Sequence, residues 1–183
     1  MTRYIAFLRA INVGGHVVKM DRLRGLFSEL PGVSDVESYI ASGNVIFESV
    51  ARNTKPLEKR IADQLHKSLG YEVATFIRTA AQLSEIAQYQ PFPQSQMRDA
   101  SLYIGFLADA LDPEAQRTVM SFKTKVDDFH VHEREVYWLC RIRSSESEFS
   151  LARLEKALGI QATFRNSTTI RKLAALYAAP LST

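Results

Sequence analysis

Two short stretches of this chain hold the residue types that bind anions. Arg9, Asn12, Gly14, Gly15, His16 and Lys19 follow one another closely, and Ser42, Gly43 and Asn44 form a second cluster further on. Glycines let backbone N–H groups approach a ligand, and a helix starting just after them would add its positive end. Arg9 and Lys19 would bring full charges. Together these are the parts of a phosphate cradle. The same glycines also serve plain turns by supplying positive φ, with Ser42 and Asn44 bonding the backbone. A third stretch, Arg165-Asn166 ahead of Ser167, Thr168 and Thr169, reads as a helix N-cap, and alternatively as an anion site at a helix start aided by Arg165. No nucleotide fingerprint accompanies them: Gly14 to Lys19 lacks the Walker spacing and there is no G-x-G-x-x-G. The reading calls for no cofactor and no metal.

Acid–base and nucleophilic residues are less suggestive. His132-Glu133 begins an H-E-x-x-H string, but Val136 stands where the second histidine would be. Cys140 could pair with His130 or His132 as a thiol nucleophile. A tight turn at Glu133-Arg134 would set Asp127 opposite Cys140 and His130 opposite Tyr137, which puts the thiol on the other face of the sheet from both histidines. Cys140 therefore reads as a buried structural thiol beside Trp138. Asp127 and Asp128 point to opposite faces. The sequon Asn166-Ser167-Thr168 has no secretory signal to give it meaning.

The elements that must position these residues follow from the apolar spacing. Tyr4 to Arg9 reads as a buried strand. Met20, Leu23, Leu26, Phe27 and Leu30 recur at helical spacing and stop at Pro31-Gly32. Val36, Ser38 and Ile40 with Val45 and Phe47 flank Ser42-Gly43 as a hairpin. Leu57, Ile61, Leu65 and Leu69 mark a second helix that ends before Gly70. Val73 to Ile77 makes a fourth strand. A capping box at Thr79 and Gln82 predicts a helix over about 80–89. Pro91-Phe92-Pro93 and a polar stretch to Asp99 then form a boundary. The pattern repeats with a strand from Leu102 to Leu107, a helix from Asp112-Pro113 to about Phe122, and a hairpin of Val126–His132 with Glu135–Cys140. A helix capped by Ser145 and Glu148, a short strand from Ile160 to Phe164 and a last helix from Ser167 complete it.

The expected fold is α+β: two ferredoxin-like β-α-β-β-α-β units with additional helices, packed together. The first unit spans 1–78, a connecting helix and linker 79–100, and the second unit with its C-terminal helix 101–183. Several strands are apolar on both faces, so each sheet needs cover on its second face. A right-handed crossover makes the first two strands parallel. The loop after strand one and the first hairpin tip then share one edge, which gathers Arg9, Asn12, Gly14, Gly15 and Lys19 near Ser42, Gly43 and Asn44.

Composition limits the rest. The chain has 183 residues, 46% hydrophobic and 23% charged, with net charge +3 and one cysteine. Disorder, a disulfide framework and a multi-cysteine metal site are excluded. Apolar runs such as Tyr4 to Leu8 fall far short of the ~20 residues a bilayer needs. Arg9 interrupts the first run too early for a secretory signal, so a cytoplasmic protein is expected. Residues 141–183 carry seven basic and three acidic side chains, a mild bias without a polybasic tail.

The strings Tyr4-Ile5-Ala6-Phe7-Leu8-Arg9-Ala10-Ile11-Asn12-Val13-Gly14-Gly15, Tyr39-Ile40-Ala41-Ser42-Gly43-Asn44-Val45-Ile46-Phe47 and Ala162-Thr163-Phe164-Arg165-Asn166 together resemble the bacterial family catalogued as domain of unknown function 1697. The resemblance implies an α+β protein with ferredoxin-like halves and implies no activity. The family's usual start has Gly where this chain has Ala10, and an aromatic where it has Ser167. The functional expectation is a binding module for a phosphate-bearing small molecule or nucleotide at the glycine-rich edge. The alternatives are a small enzyme using Asn12, Ser42, His16 and Arg9 on such a ligand, or an assembly module pairing through an open edge strand. Nucleic acid is a possible but disfavoured partner, because Tyr39 and Ile46 make a poor aromatic platform. No membrane partner is expected, and the oligomeric state is left open.

Overall fold

The apolar run at Tyr4–Leu8 forms the heart of a strand because its side chains alternate between two buried faces. In the computed structural model, which describes residues 1–12, 14–40 and 43–178, this is β1 (Thr2–Leu8). It is followed by α1 (Met20–Ser28), β2 (Val33–Tyr39), β3 (Asn44–Ser49), α2 (Thr54–Leu69), β4 (Thr75–Thr79) and α3 (Ala80–Gln88). After a short α4 (Gln94–Met97) come β5 (Ser101–Leu107), α5 (Pro113–Met120), β6 (Asp127–His132), β7 (Glu135–Cys140), α6 (Leu151–Leu158), β8 (Ala162–Asn166) and α7 (Ser167–Tyr177). The strands form two antiparallel sheets, in the orders β2-β3-β1-β4 and β6-β7-β5-β8. The chain is an α+β protein with two β-α-β-β-α-β units, each followed by a helix. It divides into residues 1–86 together with the chain from Lys172 onward, and residues 87–171.

In the first unit Tyr4, Ala6 and Leu8 meet Leu23 and Phe27 of α1 and Ile61 and Leu65 of α2. Ile5 and Phe7, on the other face of β1, are fully buried as well. In the second unit Val136, Trp138 and Cys140 pack with Val119, Phe149 and Leu154, while Ile104, Phe106 and Tyr137 are buried on the opposite face. The two-sided apolar pattern of the strands is thus matched by burial on both sides. Where outer-strand N–H groups need partners, carboxylates supply them. Glu58 Oε1 accepts from the Ile77 N–H at 2.8 Å, and Glu155 Oε1 accepts from the Ala162 N–H at 2.9 Å.

Most helix signals act as read. Asp112 accepts from the Ala115 N–H ahead of Pro113, and Gly70 and Gly159 close α2 and α6 in the left-handed conformation. Thr79 Oγ1 accepts from the Gln82 N–H at 3.1 Å and the Gln82 side chain accepts from the Thr79 N–H at 3.0 Å, a complete capping box. Three readings shift. Ser150, not Ser145, caps α6, accepting from the Arg153 N–H, while Ser144–Glu146 forms a 3-10 turn. β4 begins at Thr75, two residues later than the apolar run suggests. The polar stretch after Pro93 contains a short helix.

The β6–β7 register sets Asp127 opposite Cys140 and His130 opposite Tyr137. Cys140 is buried on the helix-facing side, donating to the Ile142 carbonyl at 3.2 Å, and burial raises its pKa. A raised pKa and a closed environment keep the thiol unreactive.

Gly105 marks a tight point. A Cβ there would lie 2.6 Å from the Phe164 ring on the neighbouring strand. Gly105→Ala should therefore cost about 1–3 kcal/mol through overpacking. Differential scanning calorimetry should show a melting temperature lower by roughly 2–4 °C per kcal/mol.

Candidate anion-binding site

The glycine-rich edge assembles as the topology requires. The Leu8 N–H donates to the Gly43 carbonyl at 2.8 Å, and the Arg9 N–H donates to the Ala74 carbonyl at 2.9 Å. The end of β1, the hairpin tip and the start of β4 are thereby tied together. Gly43 has φ +73, and a Cβ there would meet Ile11 Cγ2 at 2.8 Å and Leu8 Cβ at 3.1 Å. Only glycine suits both the backbone and the space. Asn12 Oδ1 accepts from the Val18 N–H at 2.8 Å and so closes the loop. Asn44 is fully buried and donates to the Tyr39 carbonyl at 3.1 Å. His16 stacks on Tyr71 at 3.8 Å, and the Tyr71 hydroxyl reaches the Ile11 carbonyl. Asn12, Gly43 and Asn44 thus hold the loop itself. Gly14 and Gly15 have φ +68 and +85, with open space where a Cβ would stand. Lys19 precedes α1 without a side-chain cap bond. Ser42 lies outside the described residues. Ala10, where the family resemblance expects glycine, holds φ +55.

The second predicted site sits where β8 runs directly into α7. Asn166 Oδ1 accepts from the Thr168 N–H at 2.8 Å, as a cap should. Arg165 lies next to Asn166 but pairs with Ile104, whereas Asn166 pairs with Tyr103, so the two side chains take opposite faces of β8. The Arg165 guanidinium donates to Thr163 Oγ1 at 2.8 Å and to the Phe164 carbonyl at 3.0 Å. Burial lowers its pKa to about 10, so it stays charged at neutral pH. Asn166 and Arg165 are neighbours in sequence that serve different surroundings.

Asn166 opens onto a cavity of about 310 Å³. Its polar wall is Asn166, Ser167, Thr168 and Arg171, the first turn of α7 and the residue one turn along the same helix face. The rest of its lining mixes apolar Tyr89, Phe92, Met97 and Leu102 with polar Gln90, Gln94 and Ser101. Arg171 is exposed, and no carboxylate among the described residues pairs with it. Tyr89 is held from two sides. Its hydroxyl is 2.8 Å from His130 Nε2, and its ring lies on His132 at 4.1 Å with planes 7° apart. Burial, and then the neighbouring His132, lowers the His130 pKa. The imidazole is therefore neutral near pH 7, and its Nε2 shares a hydrogen bond with the Tyr89 hydroxyl.

Of the predicted residues, Arg9, Asn12, Gly14, Gly15, Lys19, Gly43 and Asn44 belong to the first unit's edge, while Asn166 reaches the cavity and Arg165 turns from it. Tyr89, Phe92 and Arg171 were not among the candidates. The only signal for the first two was an aromatic on each side of Pro91, in a stretch read as a boundary. Among the described residues no cluster of His, Cys, Asp and Glu is arranged to hold a metal ion, and no helix is long and apolar enough to cross a membrane.

The lowered His130 pKa carries a sign. The unfolded chain takes up this proton near 6.5, before the folded chain does. The stability linked to His130 is therefore complete above about pH 6.5 and is lost as pH falls through the folded value. Melting temperature should fall on acidification below that point, and His130→Gln should flatten that slope in a pH series.

Comparison with known proteins adds the relationship but no activity. No curated protein matches the chain. Among solved structures, the conserved bacterial protein SP0830 from Streptococcus pneumoniae is similar with a TM-score of 0.78 and 24% identity, covering 97% of this chain and 98% of that one. At that identity the likeness shows the fold. The family described as Protein of unknown function (DUF1697) matches residues 1–137. With most of its length covered by that match and both halves folded as the motifs imply, the chain belongs to the DUF1697 family.

Proposed function

We propose that the protein binds a small phosphate-bearing ligand in the cavity at the start of α7. One observation carries this reading: a cavity of about 310 Å³ brings together a helix N-terminus and Arg171, which no carboxylate among the described residues engages. That volume sits at the lower end of ligand pockets, roughly 300–1,000 Å³. The α7 start is less completely capped than its counterpart in the first unit. At α3, Gln82 completes the capping box, while Thr169 stands at the matching position of α7. N–H groups at a helix start, aided by the macrodipole, favour an anion there. Arg171 supplies a planar fork suited to phosphate oxygens.

A second reading keeps the ligand at the glycine-rich edge. It is favoured by Gly14 and Gly15, whose left-handed backbones stand open to approach. Arg9, Lys19 and the backbone of Gly14 and Gly15 would form that cradle.

A thermal-shift series with inorganic phosphate and ribose 5-phosphate separates the two. A ligand at 100 times its dissociation constant adds about 2.7 kcal/mol, or roughly 5–10 °C for a chain of this size. The shift should persist in Arg9→Ala and largely disappear in Arg171→Gln. The reverse pattern would move the site to the glycine edge, and no shift with either compound would remove the proposal.

A further inference from the structure

We propose that Tyr89 and Phe92 form an acid-released latch, which holds residues 89–97 on the His130–His132 face of β6 at neutral pH and lets them lift in acid. A cluster of rings within the second unit carries this. The Tyr89 hydroxyl is 2.8 Å from His130 Nε2, and the Tyr89 ring lies parallel to His132 at 4.1 Å. Phe92 meets the His130 ring edge to face at 6.5 Å. Tyr137 of β7 packs on Tyr89 at 5.2 Å and lies 6.4 Å from His130.

The segment has little else to hold it. Of residues 89–97 only Phe92 is buried, and α4 buries no residue and has no side-chain cap. Gln96 accepts one hydrogen bond from Arg141 at 3.3 Å. Tyr89, Phe92 and Met97 also border the cavity of about 310 Å³, so the segment is backed by open space as well as by side chains. Few buried apolar contacts mark a part of a chain that opens more readily than the core.

The histidines make that opening answer to pH. His130 and His132 are two apart on β6, so both point to one face. Around His130 stand the rings of Tyr89, Phe92 and Tyr137, together with His132. The carboxylates on that face are placed elsewhere. Asp128 is held by Lys123 at 3.0 Å and Arg141 at 3.7 Å, and Glu135 stands opposite His132 rather than His130. Arg171, which also lines the cavity, is a further cation. None of these groups offsets a proton on His130. A protonated imidazole could still donate to the Tyr89 hydroxyl, so the hydrogen bond alone does not set the direction. Burial does, followed by His132: both lower the His130 pKa in the closed form, and the burial is relieved when the segment lifts and water enters. The open form therefore takes up the proton at higher pH than the closed one, and by linkage acid favours it.

Hydrogen exchange read by mass spectrometry on the full chain tests this, with rates corrected for the intrinsic effect of pH. For one proton the opening constant rises by up to about tenfold per pH unit below roughly 6.5. Peptides spanning residues 86–100 should therefore lose protection severalfold on acidification through that range, while those of β5 and β7 keep theirs. His130→Gln, which carries no charge and can still bond the Tyr89 hydroxyl, should abolish this response. Tyr89→Phe, which keeps the ring and loses the hydrogen bond, should exchange faster at neutral pH and retain the response. Circular dichroism confirms that each variant is folded. Equal protection of the segment in acid and at neutral pH would remove the latch. Loss of protection in β5 and β7 in step with the segment would mean that acid acts on the whole unit, and the proposal would fall. An unchanged response in His130→Gln would overturn it as well.

Discussion

In both units the last strand turns into a helix with no residue between them. β4 ends at Thr79 and α3 begins at Ala80; β8 ends at Asn166 and α7 begins at Ser167. The helix start is therefore set by the register of the sheet, and its first N–H groups open where the strand ends. The junction residue must leave the ladder and cap the helix at once, which restricts it to short polar side chains. Thr79 meets that demand with a reciprocal partner in Gln82, whereas Asn166 meets it alone. The position of α7 follows from this constraint, while its incomplete capping follows from Thr169 standing where α3 has Gln82, and its first turn lines the cavity.

The duplication extends to individual hydrogen bonds. The Leu8 N–H reaches Gly43 and the Leu107 N–H reaches Arg134, each closing the end of a central strand on its hairpin. Arg78 donates to the carbonyl of Ile77, just before it, and Arg165 does the same to Phe164. Glu58 and Glu155 each satisfy an N–H of a fourth strand. These repeated bonds serve the sheets. What is not repeated is more specific. The long glycine loop between β1 and α1 has only the short Ala108–Asp112 connection as its counterpart. Binding readings attach to such unshared parts, since a feature needed by the fold alone would be expected in both copies.

Much of this architecture was legible from apolar spacing and from punctuation by glycine, proline and caps. The Thr79–Gln82 box, the Asp112-Pro113 start and the Asp127–Cys140 register depend on residues close in sequence, so local rules find them. Ser150 was missed as a cap because Ser145 and Glu148 also fit the capping pattern. The edge around Gly43 was reachable because topology alone brings it together. The cavity was not. Tyr89 and His130 are separated by 41 positions and meet only through tertiary packing. The sequence made His130 a candidate partner for Cys140, and nothing in its spacing pointed to a tyrosine ahead of Pro91.

The division of α7 bears on how the chain is made. Its first turn lines the second unit's cavity, but from Lys172 onward it belongs with residues 1–86. The Tyr177 hydroxyl, near its far end, donates to Glu37 on β2 at 3.1 Å. A growing chain leaves the ribosome from its N-terminus, so β1 to β4 emerge long before the helix that completes their unit. The first half therefore gains the Tyr177–Glu37 contact only once the end of α7 has been synthesised.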